Sequence, residues 1–198
     1  MKNIIFDIGN VLLNFQPDAY LDKYYDKQTK EDLMMIIFSS DEWELLDLGN
    51  LMIDDVIQVL CKRFPHYKNE ITFVLQTWTN MLTPIKENVD IVYQLKEKGY
   101  KLYLLSNFHY EAIQTMFDKY EFFKLFDGEV ISGFEHMMKP NYRIFELLLD
   151  RYHLDASQCL FVDDMAGNIA IAKTCGIEGI HLTLDVILED ELKKRNII

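Results

Sequence analysis

The chain has 198 residues, of which 49% are hydrophobic and 13% aromatic, enough for the core of one domain with an inserted lobe. Its 32 acidic and 20 basic residues give a formal net charge of −12, which argues against nucleic acid or an anionic membrane as the main partner. The longest apolar runs are too short to span a bilayer.

The cysteines and the first residues indicate the compartment. Cys61, Cys159 and Cys175 are odd in number and widely spaced, which favours reduced core thiols over a disulfide framework or a metal site. The first residues enter a predicted strand directly and show no signal-peptide pattern. We therefore expect a cytoplasmic protein.

The first predicted element is a short strand that ends in an acidic residue. Its apolar residues Ile4, Ile5 and Phe6 stop abruptly at Asp7, and Gly9 follows shortly afterwards. This pattern is typical of a buried strand that delivers one carboxylate to the end of a sheet, where the backbone turns.

The next part of the chain, from residue 17 to residue 81, contains only predicted helices. Proline, capping residues and apolar spacing predict these helices at about 17–27, 29–38, 41–48, 54–64 and 69–80. Thr29 and Asp41 are the expected N-caps of the second and third helices. We interpret the block as a helical insertion, because no convincing strand pattern interrupts it.

From Thr83 onward, predicted helices alternate with predicted strands. Thr83-Pro84 is a typical helix start, and Gly99 is a typical stop. The elements that follow are a strand at 101–105, a helix at 108–119, a strand at 128–131, a helix after Asn141, a strand at 159–163, a helix at 166–175, a strand at 178–182 and a charged C-terminal helix. Strands separated by helices imply parallel pairing, so the predicted fold class is α/β with a doubly wound parallel sheet.

Polar residues follow three of the predicted strands. Asp7 ends the first strand, Ser106-Asn107 ends the second, and Asp163-Asp164 ends a later one. The carboxyl ends of the strands form the ligand crevice of an open parallel sheet, so we expect these residues to lie together. Taken singly, each of them suits a turn or a helix cap, and Lys139 suits a solvated loop.

As a group, these residues suit phosphoryl chemistry. Adjacent carboxylates favour a hard, oxygen-ligated cation such as Mg²⁺. A hydroxyl group and backbone N–H groups at a helix start, together with a lysine, suit the oxygens of a phosphoryl group. An aspartate can then act as the nucleophile, because the formation of aspartyl phosphates is established chemistry.

The same residues resemble the motifs of the haloacid dehalogenase superfamily of hydrolases. Four segments match the family pattern in order, and they are Phe6-Asp7-Ile8-Gly9-Asn10-Val11, Leu105-Ser106-Asn107, Lys139-Pro140, and Val162-Asp163-Asp164 through Asn168. The match spans essentially the whole chain. It implies a Rossmann-like core of residues 1–15 and 83–198 and an inserted α-helical cap of residues 16–82, which would close over the crevice and select the substrate.

The resemblance implies a role for each motif residue. Asp7 would be the nucleophile, and Lys139 would bind the phosphoryl group and hold Asp7 ionised. Ser106 would also bind the phosphoryl group, and Asn107 would help to position it. The implied Mg²⁺ site consists of Asp7, the backbone carbonyl of Gly9, Asp164, and Asp163 as a direct or water-mediated ligand, with Asn168 as an outer partner.

Gly9 departs from the usual family pattern, in which a second aspartate at this position acts as general acid and base. A branch that resembles bacterial α-D-glucose 1-phosphate phosphatases shares the Phe-Asp-x-Gly-Asn-Val form, so the change need not abolish activity. We expect a Mg²⁺-dependent phosphatase that hydrolyses a small phosphorylated metabolite. A sugar phosphate is favoured because an anomeric leaving group needs little protonation, whereas simple alkyl phosphates would need an acid from His109 or from a cap residue.

Two other functions remain as alternatives. A 2-haloacid dehalogenase would also lack the second aspartate, but its chemistry needs no Mg²⁺ and no pair of metal-binding acids. A non-catalytic module that binds phosphorylated ligands would agree with Gly9 but not with the intact Asp7 and Lys139. Among the remaining residues, Trp43, Glu44 and Asp47 fall on a predicted cap helix, where Trp43 is expected to pack in the cap core.

Overall fold

A five-stranded sheet lies at the centre of the computed structural model, which describes residues 1–198. Its strands are β1 (Asn3–Phe6), β2 (Lys101–Ser106), β3 (Gly128–Ile131), β4 (Cys159–Asp163) and β5 (Glu178–His181). They lie in the order β3-β2-β1-β4-β5, and every neighbouring pair is parallel. The predicted α/β class with a parallel sheet is confirmed, and the predicted strand positions agree with the observed ones within about a residue.

The register of the central strand aligns the ends of its neighbours. Phe6 pairs with Leu104 of β2 on one side and with Val162 of β4 on the other. Asp7 continues the strand by donating its backbone N–H to the Val162 carbonyl at 2.9 Å. The residues that follow these three strands therefore lie together at one edge of the sheet, as expected for parallel strands whose ends are aligned by their register.

The helices cover both faces of the sheet. In chain order they are α1 (Pro17–Leu21), α2 (Lys27–Leu33), α3 (Asp41–Asp47), α4 (Ile53–Arg63), α5 (Lys68–Thr77), α6 (Lys86–Glu97), α7 (Tyr110–Lys119), α8 (Ser132–Glu135), α9 (Tyr142–Tyr152), α10 (Ala166–Thr174) and α11 (Leu188–Lys194). Helices α9 and α10 pack on one face with Ile5, Leu105 and Phe161 of the strands. The other face forms a larger core that continues into helices α1 to α5. None of the helices is long and apolar enough to cross a membrane.

The segment from residue 17 to residue 81 contains helices and no strand, as predicted, but its helices begin and end at different residues. The first predicted helix ends at Leu21, and the next one begins at Lys27, where Asp26 accepts the Thr29 N–H at 3.0 Å. Asp26, not Thr29, is therefore the N-cap. Ser40 likewise caps α3 in place of Asp41, because its Oγ accepts the Trp43 N–H at 3.2 Å.

The helical segment leaves the sheet and returns to it at one place. Leu13 and Pro84 form an isolated antiparallel bridge. Asn14 donates its side-chain amide to the carbonyl and to the hydroxyl group of Thr83 at 3.1 and 3.0 Å. The prediction that Thr83-Pro84 starts a helix is wrong, because this pairing holds the segment extended and α6 begins only at Lys86.

Two glycines differ sharply in the space available to a side chain. A Cβ on Gly128 would lie 2.2 Å from the ring of Tyr152, whose hydroxyl is fixed by hydrogen bonds to the backbone N–H and carbonyl of Glu129. A Cβ on Gly167, inside α10, would meet nothing within 4 Å. The backbone of β3 is therefore packed directly beneath an aromatic ring that cannot easily move away.

We expect Gly128→Ala to lower the free energy of unfolding by about 1–3 kcal/mol, because the added methyl group overpacks β3 against Tyr152. The matched control is Gly167→Ala, which should be neutral or stabilising by up to about 1 kcal/mol because alanine favours the helix. Urea unfolding of both variants in chelator measures the difference. Equal stability of the two variants would contradict the close packing.

Candidate active site

Lys139 lies between two of the predicted carboxylates at the end of the sheet. Its Nζ is 3.0 Å from Asp7 Oδ1 and 2.6 Å from Asp163 Oδ2. The side chains of Lys139 and Asp163 are 1% and 0% exposed, and Asp7 is also buried. Ser106, at the end of β2, is buried beside them. The structure therefore brings Asp7, Ser106, Lys139 and Asp163 together, as the strand ends predicted.

Three carboxylates form a compact cluster around this lysine. Oxygens of Asp7, Asp163 and Asp164 all lie within 4.8 Å of one another. Lys139 is the only cation that forms an ion pair with the cluster, so two negative charges remain uncompensated when all four groups are ionised. Carboxylate oxygens at this spacing fit a hard divalent cation, which would offset the repulsion among them.

The oxygens of Asp163 already have protein partners. Oδ1 accepts the Met165 N–H at 2.7 Å, and the side-chain amide of Asn168 donates to both oxygens at 2.9 and 3.0 Å. Oδ2 also accepts the ammonium group of Lys139. This arrangement fixes Asp163 as an anchor for Lys139, and Asn168 fixes Asp163 in turn.

Asp164 is held differently and is partly exposed. Its Oδ2 accepts the Asn10 side-chain amide at 3.1 Å. Asn10 adopts a left-handed conformation with φ of 50°, which asparagine tolerates better than most residues, and its Oδ1 accepts the Phe15 N–H at 3.0 Å. Burial raises the pKa of Asp164, Asn10 opposes this shift, and Asp163 adds to it.

Asn107 is engaged with the backbone of Lys139. Its Nδ2 donates to the Lys139 carbonyl at 2.9 Å, and the Lys139 N–H donates to its Oδ1 at 2.8 Å. This pair of hydrogen bonds fixes the loop that carries Lys139 into the site. The Asn107 side chain therefore acts on the predicted phosphoryl position through Lys139.

Burial and charge act in opposite directions on the predicted nucleophile. Burial raises the pKa of Asp7 to about 6, while Lys139 and the Ser106 hydroxyl pull it down and Asp163 pushes it up. Burial works to lower the pKa of Lys139, but Asp7 and Asp163 outweigh burial and raise it. The lysine is therefore charged, and it favours the ionised form of Asp7 as predicted, although burial opposes it.

A small cavity of about 80 Å³ lies over Gly9, between the sheet end and the helical segment. It is lined by Gly9, Phe15, Trp43, Asp47, Trp78, Leu82, Asn107, Phe108 and His109. His109, which the sequence offers as a possible acid, lies in this wall. Trp43 packs against Phe38 and Trp78, as expected of a cap-core residue, and also forms part of the cavity wall.

Asp47, Phe15 and Trp78 are residues that the sequence did not indicate as site residues. All three reach the cavity from the helical segment or from its linker. Apolar spacing places Trp78 in a core, and Asp47 looks like any exposed acid near a helix end. No sequence motif connects them to Asp7, because their position depends on how the helices dock on the sheet.

The model of the haloacid dehalogenase-like hydrolase family matches residues 1–176 of the chain. The protein belongs to this family. Among its relatives, the sesquiterpene phosphatase astK of Aspergillus oryzae is 28% identical over 182 residues, which cover 92% of this hydrolase and 90% of the relative. The D-ribitol-5-phosphate phosphatase of Bacteroides thetaiotaomicron is 26% identical over an alignment of 205 positions, gaps included, that covers 90% of each chain.

The fold of the hydrolase also recurs in solved structures. A haloacid dehalogenase family enzyme of Bacteroides thetaiotaomicron, in complex with magnesium and inorganic phosphate, superimposes with a TM-score of 0.77 at 18% identity. The superposition covers 96% of this chain and 98% of that enzyme. The predicted resemblance to the family, with its parallel sheet and helical insertion, is confirmed.

We expect Asp163→Ala to destabilise the hydrolase by about 3–5 kcal/mol, because the substitution breaks a buried ion pair and leaves Lys139 undercompensated. The control is Asp164→Ala, which removes one side-chain hydrogen bond and relieves like-charge repulsion, so its cost should stay below about 1 kcal/mol. Urea unfolding in excess chelator measures both variants without any contribution from metal binding. A larger loss for Asp164→Ala would contradict the anchoring role of Asp163.

Proposed function

We propose that this hydrolase is a Mg²⁺-dependent phosphatase that hydrolyses a small phosphorylated metabolite through an aspartyl phosphate on Asp7. The observation that carries the proposal is the set of three carboxylates around Lys139 at the end of β1, of which Asp7 and Asp163 are buried. Phosphoryl transfer needs mainly positioning and charge neutralisation, and this set supplies both. The relatives named as phosphatases agree with this activity.

The phosphoryl group is proposed to lie between Ser106, Lys139 and the turn after Asp7. The Ser106 hydroxyl makes a long contact of 3.4 Å to the Asn107 carbonyl, and its interaction with Asp7 lowers the pKa of that carboxyl group. A hydroxyl group in this position can turn towards a ligand. The backbone N–H groups of Gly9 and Asn107 donate no hydrogen bond within the protein. These donors and the Lys139 ammonium group suit the non-bridging oxygens of a phosphate ester.

The proposed metal ligands are Asp7, Asp164 and the backbone carbonyl of Gly9. Asp163, whose oxygens are already hydrogen bonded, would contact the ion through water, and Asn168 would support Asp163 from behind. When bound, Mg²⁺ supplies charge neutralisation at the phosphoryl oxygens and at the attacking carboxylate.

In the proposed reaction an oxygen of the Asp7 carboxylate attacks phosphorus, and the bond to the leaving oxygen breaks. Lys139 holds Asp7 in place and offsets charge on the transferred group. Water then attacks phosphorus and releases inorganic phosphate, which restores the Asp7 carboxylate.

We propose that residues 16–82 form a cap that opens to admit the substrate, with residues 1–15 and 83–198 as the core. The paired linkers at Leu13 and Pro84 support a division at this place. The cavity of about 80 Å³ is small for a metabolite, and a cap that opens would admit one.

A sugar or polyol phosphate is the proposed substrate. The name of the ribitol-phosphate relative supports this class, and a sugar ring can stack on the aromatic walls formed by Phe15, Trp43 and Trp78. The acidic surface makes nucleic acid a poor partner. We place the enzyme in the cytoplasm, because all three cysteines are free thiols.

An isoprenoid phosphate is the second candidate substrate. A larger groove of about 900 Å³ is lined by Asp164, shares Phe15 with the cavity over Gly9, and has apolar wall residues that include Leu182, Leu184 and Ile187. An apolar chain leaving the phosphoryl position could lie along it, which agrees with the name of the sesquiterpene phosphatase relative.

The acid cluster argues against a 2-haloacid dehalogenase, which would have no use for a divalent cation.

Phosphatase activity should disappear in excess chelator and return with Mg²⁺, because the cation offsets the repulsion of three carboxylates. Asp164→Ala should raise the Mg²⁺ concentration needed for half activity, since it removes one of few protein ligands. Phosphate release from sugar, polyol and isoprenoid phosphates, with and without Mg²⁺, measures both effects and ranks the substrates. Full activity in chelator, or halide release from 2-haloacids, would overturn the assignment.

Asp7→Asn should abolish turnover with the fold intact, because it keeps the shape of the nucleophile and removes the attacking charge. The wild-type protein should form a beryllofluoride adduct on Asp7, and the variant should form none. Phosphate release, circular dichroism and mass spectrometry to exclude deamidation provide the readouts. Substrate binding without turnover by the wild-type protein would instead support a binding module.

A further inference from the structure

Gly9 leaves the proposed reaction without an acid at the usual position. No side chain can donate a proton from this residue, and no heavy atom lies within 4 Å of its Cβ direction. A leaving alkoxide needs a proton, and a positioned acid contributes about 10²- to 10⁴-fold to such a step. If the leaving oxygen is protonated by the protein, the proton must come from another titratable group near the cavity over Gly9.

Only two of the residues that line this cavity titrate, and they lie side by side. The Nε2 of His109 is 3.4 Å from Oδ1 of Asp47. The remaining walls are aromatic, aliphatic, glycine or amide. Asp47 keeps 19% of its side chain exposed, so its carboxyl group is not sealed inside the protein.

His109 is an unusual wall residue because it is 2% exposed and neither ring nitrogen has a hydrogen-bond partner. Its contact with Asp47 is close but not aligned as a hydrogen bond. The ring is confined by Trp43 and Trp78, with centroid distances of 4.4 and 4.7 Å. A buried imidazole without partners is costly, so this polar edge points to a group that arrives with the substrate.

The core fixes the position of Asp47 although the residue belongs to helix α3. The Ser132 hydroxyl donates to the Asp47 carbonyl at 2.5 Å and accepts the Phe108 N–H at 2.9 Å. His136 Nδ1 lies 2.9 Å from the Leu48 carbonyl. The docked end of α3 thus holds Asp47 at the cavity by backbone contacts with the core.

Glycine at position 49 permits this docking. Gly49 has φ of +67°, and a Cβ there would lie 2.2 Å from the Gly133 carbonyl oxygen. Only a residue without a side chain allows the end of α3 to approach the core this closely.

We propose that the Asp47 carboxyl group is the general acid and base of this hydrolase, supplied by the helical segment in place of the residue missing at Gly9, and that His109 positions it. The proposal rests on the phosphatase function proposed above. It adds a catalytic residue that completes the site only when the end of α3 is docked on the core.

Asp47 gives up a proton in the first half-reaction and takes one back from water in the second. In the first, the Asp7 carboxylate forms a bond to phosphorus, the bond to the leaving oxygen breaks, and that oxygen takes the Asp47 proton. In the second, the Asp47 carboxylate takes a proton from water, whose oxygen attacks phosphorus and displaces Asp7. Asp47 is again protonated, and the products are an alcohol and inorganic phosphate.

The electrostatic surroundings agree with this role. Burial raises the pKa of Asp47 to about 7, and the charges of Asp7 and Glu44 add to the shift, whereas Lys139 opposes it. Burial lowers the pKa of His109 to about 3, so the imidazole stays neutral. A carboxyl group near pH 7 can both give and take a proton, and a neutral imidazole can orient it without competing as the acid.

The test compares substrates whose leaving groups differ in acidity. In the wild-type protein, kcat/KM should depend only weakly on leaving-group acidity, in contrast to the expectation from Gly9 alone. Asp47→Asn should lower kcat/KM for alkyl phosphates by about 10²- to 10⁴-fold and hardly affect nitrophenyl phosphate, whose leaving group needs no acid. The matched control is Asp41→Asn, at an exposed residue of the same helix. It should leave kcat/KM unchanged for alkyl phosphates and for nitrophenyl phosphate.

A pre-steady-state measurement examines the second half-reaction. Asp47→Asn should show a burst of about one nitrophenol per active site and accumulate a phosphoenzyme, because water loses its base. His109→Gln should reduce turnover of alkyl phosphates more than that of nitrophenyl phosphate, whereas a merely structural role would reduce both alike. Circular dichroism and urea unfolding check that each variant folds.

An equal loss for all substrates in Asp47→Asn, or no loss, would overturn the proposal. Either result is separable from failure of the phosphatase function, which would appear as the absence of Asp7-dependent phosphate release in the wild-type protein. A steep dependence on leaving-group acidity in the wild-type protein would likewise overturn the role of Asp47.

Discussion

The site is organised around one buried ammonium group that lies between two carboxylates. Lys139 reaches Asp7 at the end of the central strand and Asp163 at the end of its neighbour. Burying one charge of this kind without partners would be prohibitive, so the three groups must be placed together. Asn168 and the paired hydrogen bonds of Asn107 serve the same purpose, because they fix the carboxylate and the loop that the lysine needs.

The same cluster carries an excess of negative charge when all its groups are ionised. A nucleophilic carboxylate must be ionised, yet burial raises the pKa of Asp7 and the neighbouring acids resist its charge. One lysine offsets only part of this repulsion. This excess agrees with the proposed binding of a cation together with an anionic phosphoryl group, whose charges would compensate each other.

The helical segment contributes side chains to the cavity as well as covering it. Its third helix ends against the core, where Ser132 and the glycines at 49 and 133 allow backbone to approach backbone. This contact places Asp47 beside His109 and closes an aromatic wall around them. If the proposed cap opens, Asp47 leaves the cavity, so we propose that one movement controls both the protonation chemistry and the access of water.

The sequence alone determined the parallel sheet and the residues at its carboxyl edge, because apolar strands interrupted by helices have few ways to pair and their polar ends must meet. It also indicated Asp7, Ser106, Lys139 and the acid pair. It did not determine the N-caps Asp26 and Ser40 or the start of α6 at Lys86, which depend on local hydrogen bonds and on strand-like pairing of the linkers. Only the tertiary structure placed Asp47 beside His109 over Gly9, because that meeting depends on docking between segments about 60 residues apart, which no local pattern encodes.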